Sequence, residues 1–270
     1  MSTDHARLGF SEILASIAKD IRAHAEVFVL LALLWAIIST ILTAPLFDDI
    51  VAWQNAMQYD PEGAVADLGP LFPKILAQTI ASSFLLVVVP VLWARALLLG
   101  RGGVFGRSLG RSYGLSLLHT LSFLLYLFAG VIGLFVPFHL LAVLGGLLGL
   151  GDGILRSIMV VLAMVLLLWL YTAYSVAVVY AALGQKLGIR QALLRMKPHW
   201  KPFAAIAVLG PVPALLFRAL VVMPFLSDGA GPTKVSTLVG SVFTGIGVLI
   251  IFTAAVAVVR AVQKQDLGAE

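Results

Sequence analysis

Apolar runs long enough to cross a bilayer constrain this chain more than any other feature. A helix needs about 20 such residues to span the hydrocarbon core. Six stretches qualify: Val27 to Phe47, Ile75 to Leu99, Leu115 to Phe135, Leu155 to Leu183, Pro202 to Leu226 and Ser236 to Val262. With 61% hydrophobic and 11% charged residues in 270, the chain carries more apolar surface than one soluble core of that length buries. The ten-residue alternation of an outer-membrane barrel is absent, so the spans read as helices. The expected fold is all-α: one polytopic integral membrane helical bundle over residues 1–270, with about six transmembrane helices, amphipathic interfacial helices and, over 138–150, a re-entrant or interfacial helix. The start of the chain lacks the basic stretch, short apolar run and small-residue cleavage site of a secretory signal, so the first span is expected to stay as an anchor.

The re-entrant candidate is FHLLAVLGGLLGL, Phe138 to Leu150, too short to span at a rise of about 1.5 Å per residue and preceded by Pro137, where a break is expected. Charge parity supports leaving it out of the count. The basic segments Arg7 to Arg22, Arg95 to Arg111, Lys186 to Lys201 and Arg260 to Lys264 then share one side, and the acidic loop with Asp48, Asp49, Asp60, Glu62 and Asp67 takes the other. Excess Lys and Arg mark the cytoplasmic side, so both termini are expected there, in a bacterial cytoplasmic membrane. The formal charge of +5 is thereby explained by topology and anionic lipid, without nucleic acid. Arg101, Arg107, Arg111, Arg190, Arg195, Lys197 and Lys201 are the expected headgroup contacts, at about 1 kcal/mol per basic residue near the surface.

A basic lead-in precedes each odd-numbered span. Phe10, Ile13, Leu14, Ile17 and Ile21 share one helical face, which suits a helix lying on the inner leaflet. Ile189, Leu193 and Met196 repeat the pattern ahead of Trp200, and RGGVFGRSLGRSYG stands in the corresponding place before the third span. Units of lead-in plus hairpin would start near residues 1, 101 and 186. The simpler account is that basic residues flank every cytoplasmic helix end.

Motifs of chemistry are few. GRSLG and GRSYG, overlapping from Gly106 to Gly114, match the nucleophile elbow of hydrolases in letters only, because no strand precedes them. Their glycines are expected to turn the chain, and Ser108 or Ser112 to cap the following helix. No cysteine is present, which excludes disulfides and thiolate chemistry. The five histidines form no local metal signature, and no cofactor is expected. His119 shares a face with Ser116, Ser122 and Tyr126 on the third span. Tyr171, Thr172, Tyr174 and Ser175 make a polar patch on the fourth, and Gln78, Thr79, Ser82 and Ser83 one on the second. Such patches are either seams between helices or the walls of a cavity. Gly145 and Gly149 have the spacing for close helix packing.

Arg218 stands in LLFRALVVM, about 12 Å below the outer end of the fifth span. It either snorkels to pair with Asp228, Asp152 or the Asp48 and Asp49 pair, which is the reading preferred here, or binds an anionic headgroup or substrate in a cavity.

The segment YTAYSVAVVYAALGQKLGIRQALLRMKPHWKPFAAIAVL resembles a family of bacterial six-span proteins. The family comprises the membrane domain found beside some glycerophosphoryl diester phosphodiesterases and its free-standing YciC-like relatives. The likeness rests on a long span ending in small residues, an AL-x-R stretch around Ala192 to Arg195, Trp200 re-entering the bilayer, and the layout of RGGVFGRSLGRSYG before a span. It departs from the family at Gln185 and Lys186, where many relatives carry an acid. The 270 residues hold no soluble phosphodiesterase domain, so the resemblance implies architecture and no catalytic residues. The expected function is a non-enzymatic membrane organiser, partner subunit or lipid-associated protein, with membrane lipids and a membrane-protein partner as its company. The alternative is a small transporter or lipid-handling protein for an anionic ligand, using Arg218, His119, Tyr171, Tyr174 and Ser175. An intramembrane enzyme is least expected, since no acidic pair lies within the spans.

Overall fold

Wherever the apolar runs are described they are helical, because inside a bilayer each backbone N–H and C=O must find a partner within its own segment. The computed structural model describes residues 8–59, 61–106, 108–147, 152–210 and 234–268. In chain order the helices are α1 (Phe10–Ala23), α2 (Ala25–Thr43), α3 (Phe47–Tyr59), α4 (Pro61–Leu86), α5 (Val88–Leu99), α6 (Leu109–Leu147), α7 (Asp152–Ala182), α8 (Ile189–Met196), α9 (Trp200–Leu209) and α10 (Lys234–Gly268). Five stretches among the described residues are long and apolar enough to cross a membrane: Ala25–Trp53, Gly69–Leu99, Leu109–Gly130, Val161–Ala182 and Val235–Lys264. Of the expected fifth span, only the part up to Gly210, just past α9, is described; its remainder, with Arg218, lies outside the described residues.

Helix α10 is the centre of the bundle. It packs on α1, α2, α5, α7 and α9, and its Ala254, Ala255 and Ala257 share one buried core with Ala94 and Ala96 of α5 and Ala173 and Ala177 of α7. Small residues let helix backbones approach closely where lipid supplies no hydrophobic drive for association. Large apolar side chains such as Leu30 and Ile41 of α2, Leu125 and Phe128 of α6 and Met164 and Val165 of α7 are more than half exposed. This is the outward apolar belt of a membrane bundle.

Three expectations change. The acidic segment after the first span is helical rather than a loop on both sides of Asp60, which itself lies outside the described residues, and Lys74 of α4 meets Asp49 of α3 at 3.1 Å. The second span is two helices, α4 and α5, interrupted at Val87; Pro90 lacks an N–H and its ring crowds the carbonyl four residues back, at Leu86. At Pro137 the expected break is absent, and α6 continues through it to Leu147, so 138–147 is a helical extension rather than a separate element, and 148–150 lies outside the described residues. One missing hydrogen bond does not end a helix of 39 residues that is packed lengthwise against α7. Their close approach comes at Gly130, where a Cβ would stand 2.6 Å from Leu166; Gly145 falls within the α6 extension and Gly149 outside the described residues.

The lead-in helices are alike in detail. Leu8-Gly9 and Leu187-Gly188 precede α1 and α8, both glycines are extended, and each donates its N–H to the side chain three residues on: Gly9 to Glu12 Oε2 at 2.7 Å, Gly188 to Gln191 Oε1 at 3.2 Å. The apolar face of α1, expected on the leaflet, is divided. Ile13 and Ile17 are buried in the protein core, while Phe10 and Leu14 face outward. Asp20 explains the division, since its carboxylate accepts from Arg260 of α10 at 2.7 Å and that guanidinium also donates to the carbonyl of Leu97 at 2.6 Å. These contacts, with those described next, gather α1, the C-terminal ends of α5, α7 and α10, and the starts of α6 and α9 at one basic end.

Candidate functional site

The basic end is organised by Arg95, which is 1% exposed. Its Nε donates to the carbonyl of Val104 at 2.9 Å, Nη2 to Gly103 at 2.7 Å, and Nη1 to Ala182 of α7 at 3.0 Å and to the hydroxyls of Ser108 and Ser112 at 3.1 and 3.0 Å. Among the described residues no carboxylate takes part. A guanidinium presents five N–H groups in a rigid fork, and here it ties the glycine-rich turn after α5 to the ends of two other helices. The serines of GRSLG and GRSYG are thus partners of an arginine, and Ser112 also donates to the Ala182 carbonyl at 3.1 Å. The positive-φ glycines Gly100 and Gly184 close α5 and α7 at this end. Arg95 was legible only as one more basic residue near a helix end; its setting among apolar residues in WARALLLG was the signal.

Two apolar grooves meet at the turn into α9. One, of about 720 Å³, lies between Leu8 to Phe10 and the turn into α9, where Lys197, Trp200 and Lys201 line it. The other, of about 690 Å³, runs between α7 and α8–α9 along Val165, Trp169, Leu193 and Ala204. Lys197 and Trp200 belong to both. The turn that presents them, Lys197–His199, is fixed by buried His199, whose Nδ1 accepts the N–H of Leu8 at 3.2 Å. That acceptor role requires the proton on Nε2, which is buried without a partner. Burial pushes this imidazole below the ordinary histidine range, because a charged ring would be stripped of water.

The other expected headgroup residues divide. Arg190 and Arg111 are exposed. Arg101 pairs on the surface with Glu26 at 3.1 Å. Arg195 stacks over the ring of Tyr180 and donates to its hydroxyl at 3.1 Å, so it is tied to α7. Arg107 lies outside the described residues.

Of the intramembrane candidates, Tyr171 and Tyr174 meet the second-span patch of Gln78, Thr79, Ser82 and Ser83 around a cavity of about 340 Å³. Thr120 joins them, its hydroxyl 3.0 Å from that of Tyr174, and so does Trp35 of α2; neither residue was a candidate from sequence. Helix geometry explains the omission of Thr120. At 100° per residue, a face drawn from Ser116 to Tyr126 drifts by about 80°, and Tyr126 is 52% exposed while Ser112, Ser116 and Thr120 form the buried row. His119 is buried away from the cavity with Nε2 unpartnered, and Ser175 donates to the carbonyl of its own neighbour Thr172 at 2.8 Å. Among the described residues no group of three metal-ligating side chains comes together.

Bundle, apolar belt and membrane-length helices together define a multi-pass helical membrane protein. Compared with known proteins, the chain matches no family model, no curated protein and no solved structure.

Proposed function

We propose that the protein is a non-enzymatic, lipid-associated protein of a bacterial cytoplasmic membrane, holding an anionic lipid at its basic end with that end toward the cytoplasm. The observation that carries the reading is the meeting of two apolar grooves at Lys197 and Trp200. An ammonium at the mouth of an apolar trough suits a phosphate headgroup with its chains lying along Trp169 and Val165. Exposed Phe105, Leu194 and Trp200 on the same end supply the interfacial apolar and aromatic anchoring that such a surface needs. The layout of amphipathic lead-in helices before membrane hairpins fits membership of the YciC-like family, which belongs to the same proposal, as does a membrane-protein partner.

Native mass spectrometry of lipids retained in mild detergent tests this. Wild type is expected to keep an anionic phospholipid in preference to a zwitterionic one, and Lys197→Ala with Lys201→Ala to reduce that retention at least about tenfold, since two headgroup contacts are lost. Equal retention by both proteins would remove the groove from the account.

A further inference from the structure

The intramembrane cavity has a chemistry of its own, different from that of the lipid grooves and independent of the lipid reading. Gln78, Thr79, Ser82 and Ser83 occupy positions i, i+1, i+4 and i+5 of α4 and so present one polar face. That face stands opposite Thr120 of α6 and the tyrosines of α7, with Trp35, Phe123 and Phe252 completing an aromatic wall. Among the described residues no charged side chain lines the cavity.

Proton positions follow from the hydrogen bonds. Thr79 donates to the Ile75 carbonyl and Ser83 to that of Thr79, both at 2.8 Å. Thr120 donates to the Ser116 carbonyl at 2.9 Å, so in its contact with Tyr174 the tyrosine is the donor. With those protons committed, the oxygens of Thr79, Ser83 and Tyr174 are left as acceptors. Gln78 and Ser82 make no hydrogen bond among the described residues, although each lines the cavity. A ligand that satisfies this set donates several hydrogen bonds, bears no charge that would be left unpaired, and has an apolar face to lie against the rings of Phe123 and Tyr174, whose centroids are 4.8 Å apart.

We propose that this cavity is a binding site for a small uncharged polyhydroxyl solute. The volume suits a molecule the size of a short polyol or a single sugar rather than a lipid.

Equilibrium dialysis of the full chain in nanodiscs, with radiolabelled glycerol, sorbitol and glucose as probes, tests the assignment. Saturable binding of at least one probe is expected, weakened at least about tenfold by Gln78→Leu with Ser82→Ala, whose unpartnered groups would no longer meet the ligand's hydroxyls. Thr79→Val, at an exposed position of α4, serves as the second variant and is expected to weaken binding in the same direction while the thermal midpoint stays unchanged. Absence of saturable binding to wild type for all three probes would overturn the proposal. So would stronger binding of glycerol phosphate or choline than of the uncharged probes, or affinity that both variants leave intact.

Discussion

Arg95 is buried in the protein interior with no acid among its described partners, and its guanidinium meets carbonyl and hydroxyl oxygens from the turn after α5, from α6 and from α7. Removing it strands those acceptors as well as the packing they support. Arg95→Leu is expected to destabilise the folded protein by about 3 kcal/mol or more, and Arg95→Lys to recover only part of that, because one ammonium cannot reach partners spread across a planar fork. Thermal unfolding in detergent measures both. His199 carries a pH signature. Its folded-state pKa lies below that of the unfolded chain, so the unfolded state binds the extra proton first as pH falls. Stability contributed at this residue is therefore complete above about pH 6.5 and declines below it. His199→Gln retains an acceptor for the Leu8 N–H and is expected to flatten the dependence of melting temperature on pH between 7.5 and 5.

At the level of helices, length and apolarity of the runs were enough to place five membrane-length stretches, and a basic amphipathic pattern was enough to place α1 and α8. Breaks were not legible, because a proline's effect depends on what packs beside it. Pro90 goes with an interruption at Val87, whereas Pro137 sits inside α6 along its partner α7. The contact of α2 with α10 shows the same dependence on neighbours. A Cβ at Gly245 would stand 3.0 Å from Trp35, so the glycine is what admits the tryptophan. Gly245→Val is expected to cost about 1–3 kcal/mol by overpacking and to displace Trp35 toward the cavity it lines. Thermal unfolding and the shift of tryptophan emission report the two effects.

Across the whole molecule, each polar patch was readable on its own helix, and the meeting of patches was not. Gln78 and Tyr174 are 96 residues apart by number, and nothing in either local pattern fixes which faces turn toward each other. Charge parity, in contrast, was readable because it counts residues per loop without needing any pairing. The contacts of Arg95, Arg260 and His199 bring the basic segments to one end, with Asp49 and Lys74 in a separate pair on α3 and α4.

The proposed orientation puts this end at one membrane surface, facing the cytoplasm, and a chain without cysteine lets single introduced thiols report it. Single substitutions Arg190→Cys and Asp49→Cys, both at exposed positions, are treated in intact bacterial cells with a thiol reagent that does not cross membranes. Labelling of Asp49→Cys alone is expected, with Arg190→Cys labelled only in inverted vesicles; labelling of both from the same side would rule this orientation out.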